Sequence, residues 1–131
     1  MGKLMSLTDA DCEKLLAAAV QASAHAYAPY SRYKVGAALL SADGRIFSGC
    51  NVENENIGSG ICAERTAVVK AISEGATNFV ACAVACATDF RCYPCGLCRQ
   101  FLSEFGAGLI IIVREENGYS IKTIGELLPK P

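Results

Sequence analysis

The sequence predicts an α/β fold, a three-layer α/β/α sandwich built on one mixed five-stranded sheet. Three observations predict it. Apolar spacing changes along the chain in the order helix, strand, strand, helix, strand, helix, strand, strand. The run Phe79 to Ala87 (FVACAVACA) is apolar at every position, which suits a central strand covered on both faces. With 131 residues, 52% of them hydrophobic, the chain is long enough to bury about two-thirds of its unfolded surface around one core. No linker, repeat or low-complexity segment interrupts residues 1–131, so a single domain is expected.

Each element has a local reason. Thr8 with Asp11 three residues on makes a capping box, and Leu15, Leu16, Ala19, Ala22 and Ala26 recur at helical spacing, so a helix is expected from Thr8 to Ala28, stopped by Pro29. Val35, Ala37 and Leu39 alternate within a strand from Tyr33 to Leu40. Asp43-Gly44 then turns the chain into a second, antiparallel strand, Arg45 to Val52. The polar stretch Asn51 to Gly60 reads as a loop before a helix from Cys62 to Ser73. After the Phe79–Ala87 strand, Pro94 can open a helix running to Phe105, with Gly106 as its stop. Leu109 to Val113 is another buried strand. Asn117-Gly118 predicts a hairpin to Tyr119–Thr123, and Thr123 with Glu126 can cap a last short turn.

Composition also excludes functions. Twelve basic and 13 acidic residues leave a net charge of −1, mixed along the chain, so there is no electrostatic footprint for long nucleic acid or anionic lipid. No run approaches the roughly 20 apolar residues of a membrane span, and Met1 to Asp9 carry no apolar signal core. A cytoplasmic protein acting on a small neutral ligand is expected. Its eight cysteines then read as metal ligands or buried thiols rather than disulfides. Cys82 and Cys86 lie within the apolar strand and read as core, and the lone His25 as a surface or packing residue.

Chemistry concentrates at two helix starts. Cys62 opens one helix, and Cys95 and Cys98 stand in the first turn of another, where free backbone N–H groups and the helix dipole favour thiolate. Cys95 and Cys98 are three apart and can face one ion, with Cys62 approaching from the neighbouring helix. Three protein ligands leave a fourth position for water, the catalytic arrangement for zinc. Glu64 alone would merely suit the helix dipole; beside three cysteines it reads as the proton carrier. Arg65, and with less reason Arg99, could draw negative charge from the thiolates.

Cys62-x-Glu64 with Pro94-Cys95-x-x-Cys98 is a zinc-deaminase pattern. Along almost its whole length the chain resembles the small homotetrameric cytidine deaminases. The segments that carry the likeness are Pro29-Tyr30-Ser31-Arg32-Tyr33 with Val35-Gly36-Ala37-Ala38-Leu39, Gly49-Cys50-Asn51-Val52-Glu53-Asn54, Cys62-Ala63-Glu64-Arg65-Thr66-Ala67, and Pro94-Cys95-Gly96-Leu97-Cys98-Arg99-Gln100. The resemblance implies one zinc ion per chain on Cys62, Cys95 and Cys98, with Glu64 moving a proton to the pyrimidine N3 and on to the leaving ammonia. It implies that Asn51 and Glu53 bind the ribose 3'-hydroxyl and that Tyr33, where the family has phenylalanine, stacks beside the base. The activity implied is hydrolytic deamination of cytidine and deoxycytidine to uridine and deoxyuridine, a pyrimidine salvage reaction, in a homotetramer with sites at subunit boundaries.

Two departures bear on substrate. Ile57 stands in a segment where the family usually has tyrosine, and the chain stops at Leu127-Leu128-Pro129-Lys130-Pro131, short of the family's usual C-terminal aromatic. Blasticidin S deaminase, which shares the Cys-Ala-Glu and Pro-Cys-Gly-x-Cys-Arg-Gln segments, is the alternative reading. Outside enzymes, Cys92-x-x-Cys95-x-x-Cys98 has the opening spacing of an iron-sulfur protein but lacks its continuation. A structural zinc site would need Cys92 or Cys50 as fourth ligand. Cys12, Cys50 and Cys92 have no assigned role at this level.

Overall fold

A computed structural model describes residues 7–129. The expectation for Met1 to Asp9 thus falls mostly outside the described residues, and Lys130-Pro131 wholly so. The element order is α1 (Asp9–Ser23), β1 (Gly36–Ser41), β2 (Ile46–Cys50), a 3-10 turn (Ile57–Ser59), α2 (Ala63–Ser73), β3 (Phe79–Ala85), α3 (Gly96–Ser103), β4 (Ile110–Glu115), β5 (Gly118–Thr123) and the short α4 (Ile124–Leu127). The five strands form one mixed sheet in the order β2-β1-β3-β4-β5, with only the β3–β4 pair parallel.

Strand alternation divides the core into two layers. Ala38, Ala81, Ala83, Ala85, Ile110 and Ile112 face α1 and meet its Cys12, Leu15, Leu16 and Ala19. Ala37, Leu39, Cys82, Val84, Ile111 and Val113 face the other way, against Ala63, Ala67, Val68 and Ala71 of α2, Leu102 of α3 and Ile124 of α4. That is the expected sandwich, and β3 is buried on both faces as its unbroken apolar run requires. Alanine dominates where helix meets sheet, so the layers approach closely. A Cβ on Gly36 would lie 1.8 Å from the Ala19 carbonyl oxygen, and one on Gly49 would lie 2.5 Å from the Ala67 nitrogen.

The boundaries differ from expectation where tertiary contacts override propensity. The expected helix Thr8–Ala28 ends at Ser23, five residues short, because Tyr27 pairs with the loop after β2. Its N–H donates to the Asn51 carbonyl at 3.0 Å, and its own carbonyl accepts from Glu53 N–H at 2.8 Å. β1 begins at Gly36 rather than Tyr33, since Asn51 takes the backbone before it through its side chain. Cys62 and Cys95 are N-caps, outside the helices they open, so Pro94 precedes the cap of α3. Both capping boxes, at Thr8/Asp11 and Thr123/Glu126, form.

The topology explains where the site lies. β2 and β3 both run antiparallel to β1, hence parallel to each other, and each feeds a loop and then a helix. The starts of α2 and α3 therefore meet at one end of the sheet, outside the carboxyl ends of these strands, where open α/β sheets usually bind ligands.

Candidate active site

Cys62, Cys95 and Cys98 converge at that end. Their sulfurs lie within 4.8 Å of one another, and Cys62 Sγ is 4.0 Å from Cys95 Sγ. Four-coordinate zinc with Zn–S of about 2.3 Å needs sulfurs roughly 3.8 Å apart, so the cluster fits zinc with small side-chain adjustments. Among the described residues neither Cys50 nor Cys92 joins this group. The fourth thiolate of a closed structural site is not brought there, nor is Cys92 of the iron-sulfur spacing.

The electrostatics suit a cation. The Cys62 thiol is held at about 5, mainly by hydrogen bonding with Cys98, against the cost of burial and with help from Arg65 and Cys95. The same sharing pushes Cys98 far up, burial adding to it. One sulfur of the group thus carries charge even without metal. Arg65 Nη2 lies 3.8 Å from Cys62 Sγ, where a guanidinium can offset it. Arg99 is elsewhere: its Nε donates to the Pro94 carbonyl at 2.8 Å and its Nη1 to the Leu127 carbonyl at 3.0 Å. Arg99 ties α4 to the start of α3 and does not tune the sulfurs.

Glu64 is 4% exposed, in the first turn of α2. Burial raises its carboxyl to about 7; its own backbone N–H and Arg65 oppose this, and the Cys62 charge reinforces it. It lines a pocket of about 320 Å³ together with Tyr33, Val35, Asn51, Glu53, Cys62, Val84, Cys92 and Cys95. All the residues expected at the site except Cys98 and Arg65 therefore border one cavity. Arg65 lines the neighbouring cleft of about 630 Å³, which shares Ser31, Asn51, Glu53 and Cys62 with it.

Asn51 and Glu53 are held rigidly. Asn51 Oδ1 accepts the Val35 N–H and its Nδ2 donates to the Tyr33 carbonyl, each at 2.8 Å. Glu53 Oε1 accepts from Tyr30 N–H at 3.0 Å and Ser31 N–H at 3.1 Å, while the Ser31 hydroxyl donates to Oε2. The Ser31 hydroxyl and these amides hold the carboxyl below its usual range. One amide N–H of Asn51 and acceptor capacity on Glu53 remain for a ligand hydroxyl. Ser31 was missed at the level of sequence; its place two residues before Tyr33 in the proline-led loop was the available signal.

Cys86 is buried, as expected of the core, and its sulfur also accepts from Asp89 N–H at 3.3 Å beyond the end of β3. Cys82 is core, as expected. Cys12 joins the α1 layer, and Cys50 sits half-buried at the end of β2. Ile57 is 94% exposed at the rim of the larger cleft, and His25 is exposed.

Comparison with known proteins agrees with this geometry. Residues 9–114 match the cytidine and deoxycytidylate deaminase zinc-binding region. A cytidine deaminase of Sporosarcina psychrophila is 44% identical over 121 residues, 91% of this chain and 89% of the relative. A cytidine deaminase of Mycobacterium tuberculosis is 41% identical over 123 residues, 94% of this chain and 90% of the relative. The crystal structure of cytidine deaminase from Burkholderia pseudomallei superposes with a TM-score of 0.84 at 43% identity, covering 90% of this chain and 96% of that one. With the thiol cluster, the buried carboxyl and the sheet order all in agreement, the chain belongs to the cytidine and deoxycytidylate deaminase family, whose zinc-binding region it contains.

Proposed function

We propose that this protein is a cytidine deaminase that converts cytidine and deoxycytidine to uridine and deoxyuridine with release of ammonia. One observation carries the reading: a buried glutamate, titrating near neutrality, stands beside three convergent thiols in a pocket whose wall also offers Asn51 and Glu53. Cys62, Cys95 and Cys98 would hold zinc, which when bound would supply a Lewis acid and lower the pKa of a water to about 7.

The chain's own groups do the rest. Glu64 takes a proton from the attacking water and delivers it to N3 of the pyrimidine as oxygen adds at C4. The Glu64 carboxylate then takes the proton of the new C4 hydroxyl and passes it to the C4 amino group; the C4–N bond breaks, C4=O forms, and ammonia leaves. A carboxyl near 7 can serve both steps because it is neither firmly ionised nor firmly neutral. Asn51 donates to the ribose 3'-hydroxyl while Glu53 accepts from it. The Tyr33 ring lies against the base, and Arg65 offsets thiolate charge.

A second copy of the chain would complete the rim. Ile57, Leu97, Tyr30 and Val52 are all exposed around the larger cleft next to the site, an apolar grouping that association would cover. We assign the protein as a homotetramer with sites at subunit boundaries, working on small nucleosides of pyrimidine salvage in the cytoplasm. No helix among the described residues is long and apolar enough to cross a membrane.

The test is ammonia release measured side by side from cytidine, deoxycytidine, cytosine, guanine and blasticidin S. Release from the two cytosine nucleosides, lost in Glu64→Gln with zinc retained, is expected. Turnover of blasticidin S with none of cytidine would overturn the substrate, and full activity of Glu64→Gln would overturn the mechanism.

A further inference from the structure

We propose that Cys92 is a positioning residue for the pyrimidine, acting through a hydrogen bond that fixes the Tyr33 ring; the inference rests on the pocket being the base site proposed above. Tyr33 Oη and Cys92 Sγ are 3.1 Å apart, and both side chains line the pocket that contains Glu64.

The ring needs such a tie. Tyr33 is 43% exposed and belongs to neither core cluster, so packing does not fix it. Its backbone is anchored, with the N–H donating to Ser31 Oγ at 3.0 Å and the carbonyl accepting from Asn51 Nδ2 at 2.8 Å. Anchoring the backbone leaves the side-chain torsions free, and only a contact at the far end of the ring sets its tilt and depth. Cys92 Sγ, 3.1 Å from the phenol, is that contact, with Cys86 interacting with both.

Cys92 is itself well placed to hold. It packs against the α2-side core, and its loop is pinned by Arg91 N–H donating to the Arg114 carbonyl at 2.8 Å. Cys86 interacts with it from the end of β3. Because Cys92 precedes Cys95 by three residues, the tie joins the wall that faces the base to the loop that carries a metal-ligating thiol. A phenylalanine at position 33 could make no such link.

The expected effect is on binding more than on chemistry. Tyr33→Phe and Cys92→Val should each raise KM for cytidine about three- to tenfold, the worth of one ordinary hydrogen bond, while kcat falls far less. The double variant should be no worse than either single one. Cys92→Ser, which restores a partner for the phenol, should recover most of the loss. Additive effects, an unchanged KM in Tyr33→Phe, or failure of serine to rescue would overturn the inference. Labelling of Cys92 by iodoacetamide in the zinc-loaded protein, followed by peptide mass, judges the tie without substrate: the Tyr33 hydroxyl favours the thiolate, so Tyr33→Phe should slow it several-fold, and an unchanged or faster rate overturns the tie. Wild-type protein that releases no ammonia from any cytosine nucleoside overturns the base-site reading, and with it the positioning role, whatever the labelling rate says of the bond.

Discussion

Arg65 reaches back along the first turn of α2 to place Nη2 3.8 Å from the Sγ of Cys62, while its Nε is buried without a hydrogen-bond partner among the described residues. A guanidinium that forgoes one hydrogen bond to stand against a sulfur is placed there for its charge. Its partner is also the sulfur most easily ionised.

Arg65→Gln should therefore cost more than an ordinary half-buried substitution. Groups that support metal ligands are usually worth about 10- to 100-fold in metal affinity or activity. We expect that loss in kcat/KM or in zinc affinity, read by turnover and by competition with a chromogenic chelator. Wild-type values for both would remove the charge-offset role.

Glu64 gives a pH signature in metal-free protein. Its folded value, about 7, lies above the ordinary 4.5, so its contribution is fully present below pH 4.5 and is lost as pH rises through 7. Glu64→Gln removes that loss. The variant should thus gain on wild type as pH rises from 4.5 to 8, by about 3 kcal/mol at most, in denaturant unfolding after chelation. A difference independent of pH would contradict the burial of the carboxyl.

Metal removal should expose one thiol selectively. Since Cys62 is held at about 5, it is a thiolate at neutral pH, whereas Cys98 is pushed the other way. After chelation, iodoacetamide should modify Cys62 first, with the reaction persisting down to about pH 5; zinc should block it. Preferential modification of Cys98 would reverse this assignment.

Asn51 has a structural task beyond any ligand. Asn51→Ala would leave the Val35 N–H and the Tyr33 carbonyl without their side-chain partner. At about 1 kcal/mol for each bond, we expect roughly 2 kcal/mol of lost stability in thermal or denaturant unfolding, together with a raised KM. A stability cost without any KM effect would leave Asn51 as scaffold only.

Gly36→Ala should be among the most damaging single substitutions. Its methyl would stand 1.8 Å from backbone of α1, which cannot yield as a flexible side chain would. Loss of soluble folded protein, or destabilisation beyond about 3 kcal/mol, is expected in expression and melting trials. Normal stability would mean that α1 can shift on the sheet.

Much of this architecture was legible beforehand, and the exceptions have a common cause. Strands with unbroken or alternating apolar runs, such as Phe79–Ala85, and helices with capping boxes announce themselves locally. The cysteine spacing likewise announced the thiol cluster. What stayed hidden depends on pairing between distant segments: Tyr27 leaves its helix for Asn51 and Glu53, Arg99 turns to Leu127, and Tyr33 meets Cys92 across 59 positions. The polar contacts of Cys86 stayed hidden for a related reason, since β3 ends at Ala85 and these partners lie in the loop beyond. Local patterns specify elements, whereas polar side chains choose partners only after the elements are assembled.

Cys62 and Cys95 occupy N-cap positions yet make no side-chain cap hydrogen bond. A serine or aspartate there would steady each helix end by about 1 kcal/mol, so both ends are intrinsically prone to fray. Fraying and ligand release then become a single event, because unwinding either first turn carries a sulfur away from its neighbours. Metal retention in this protein is consequently a measure of local helix opening, and whatever stiffens the first turns of α2 and α3 lengthens the lifetime of the loaded site.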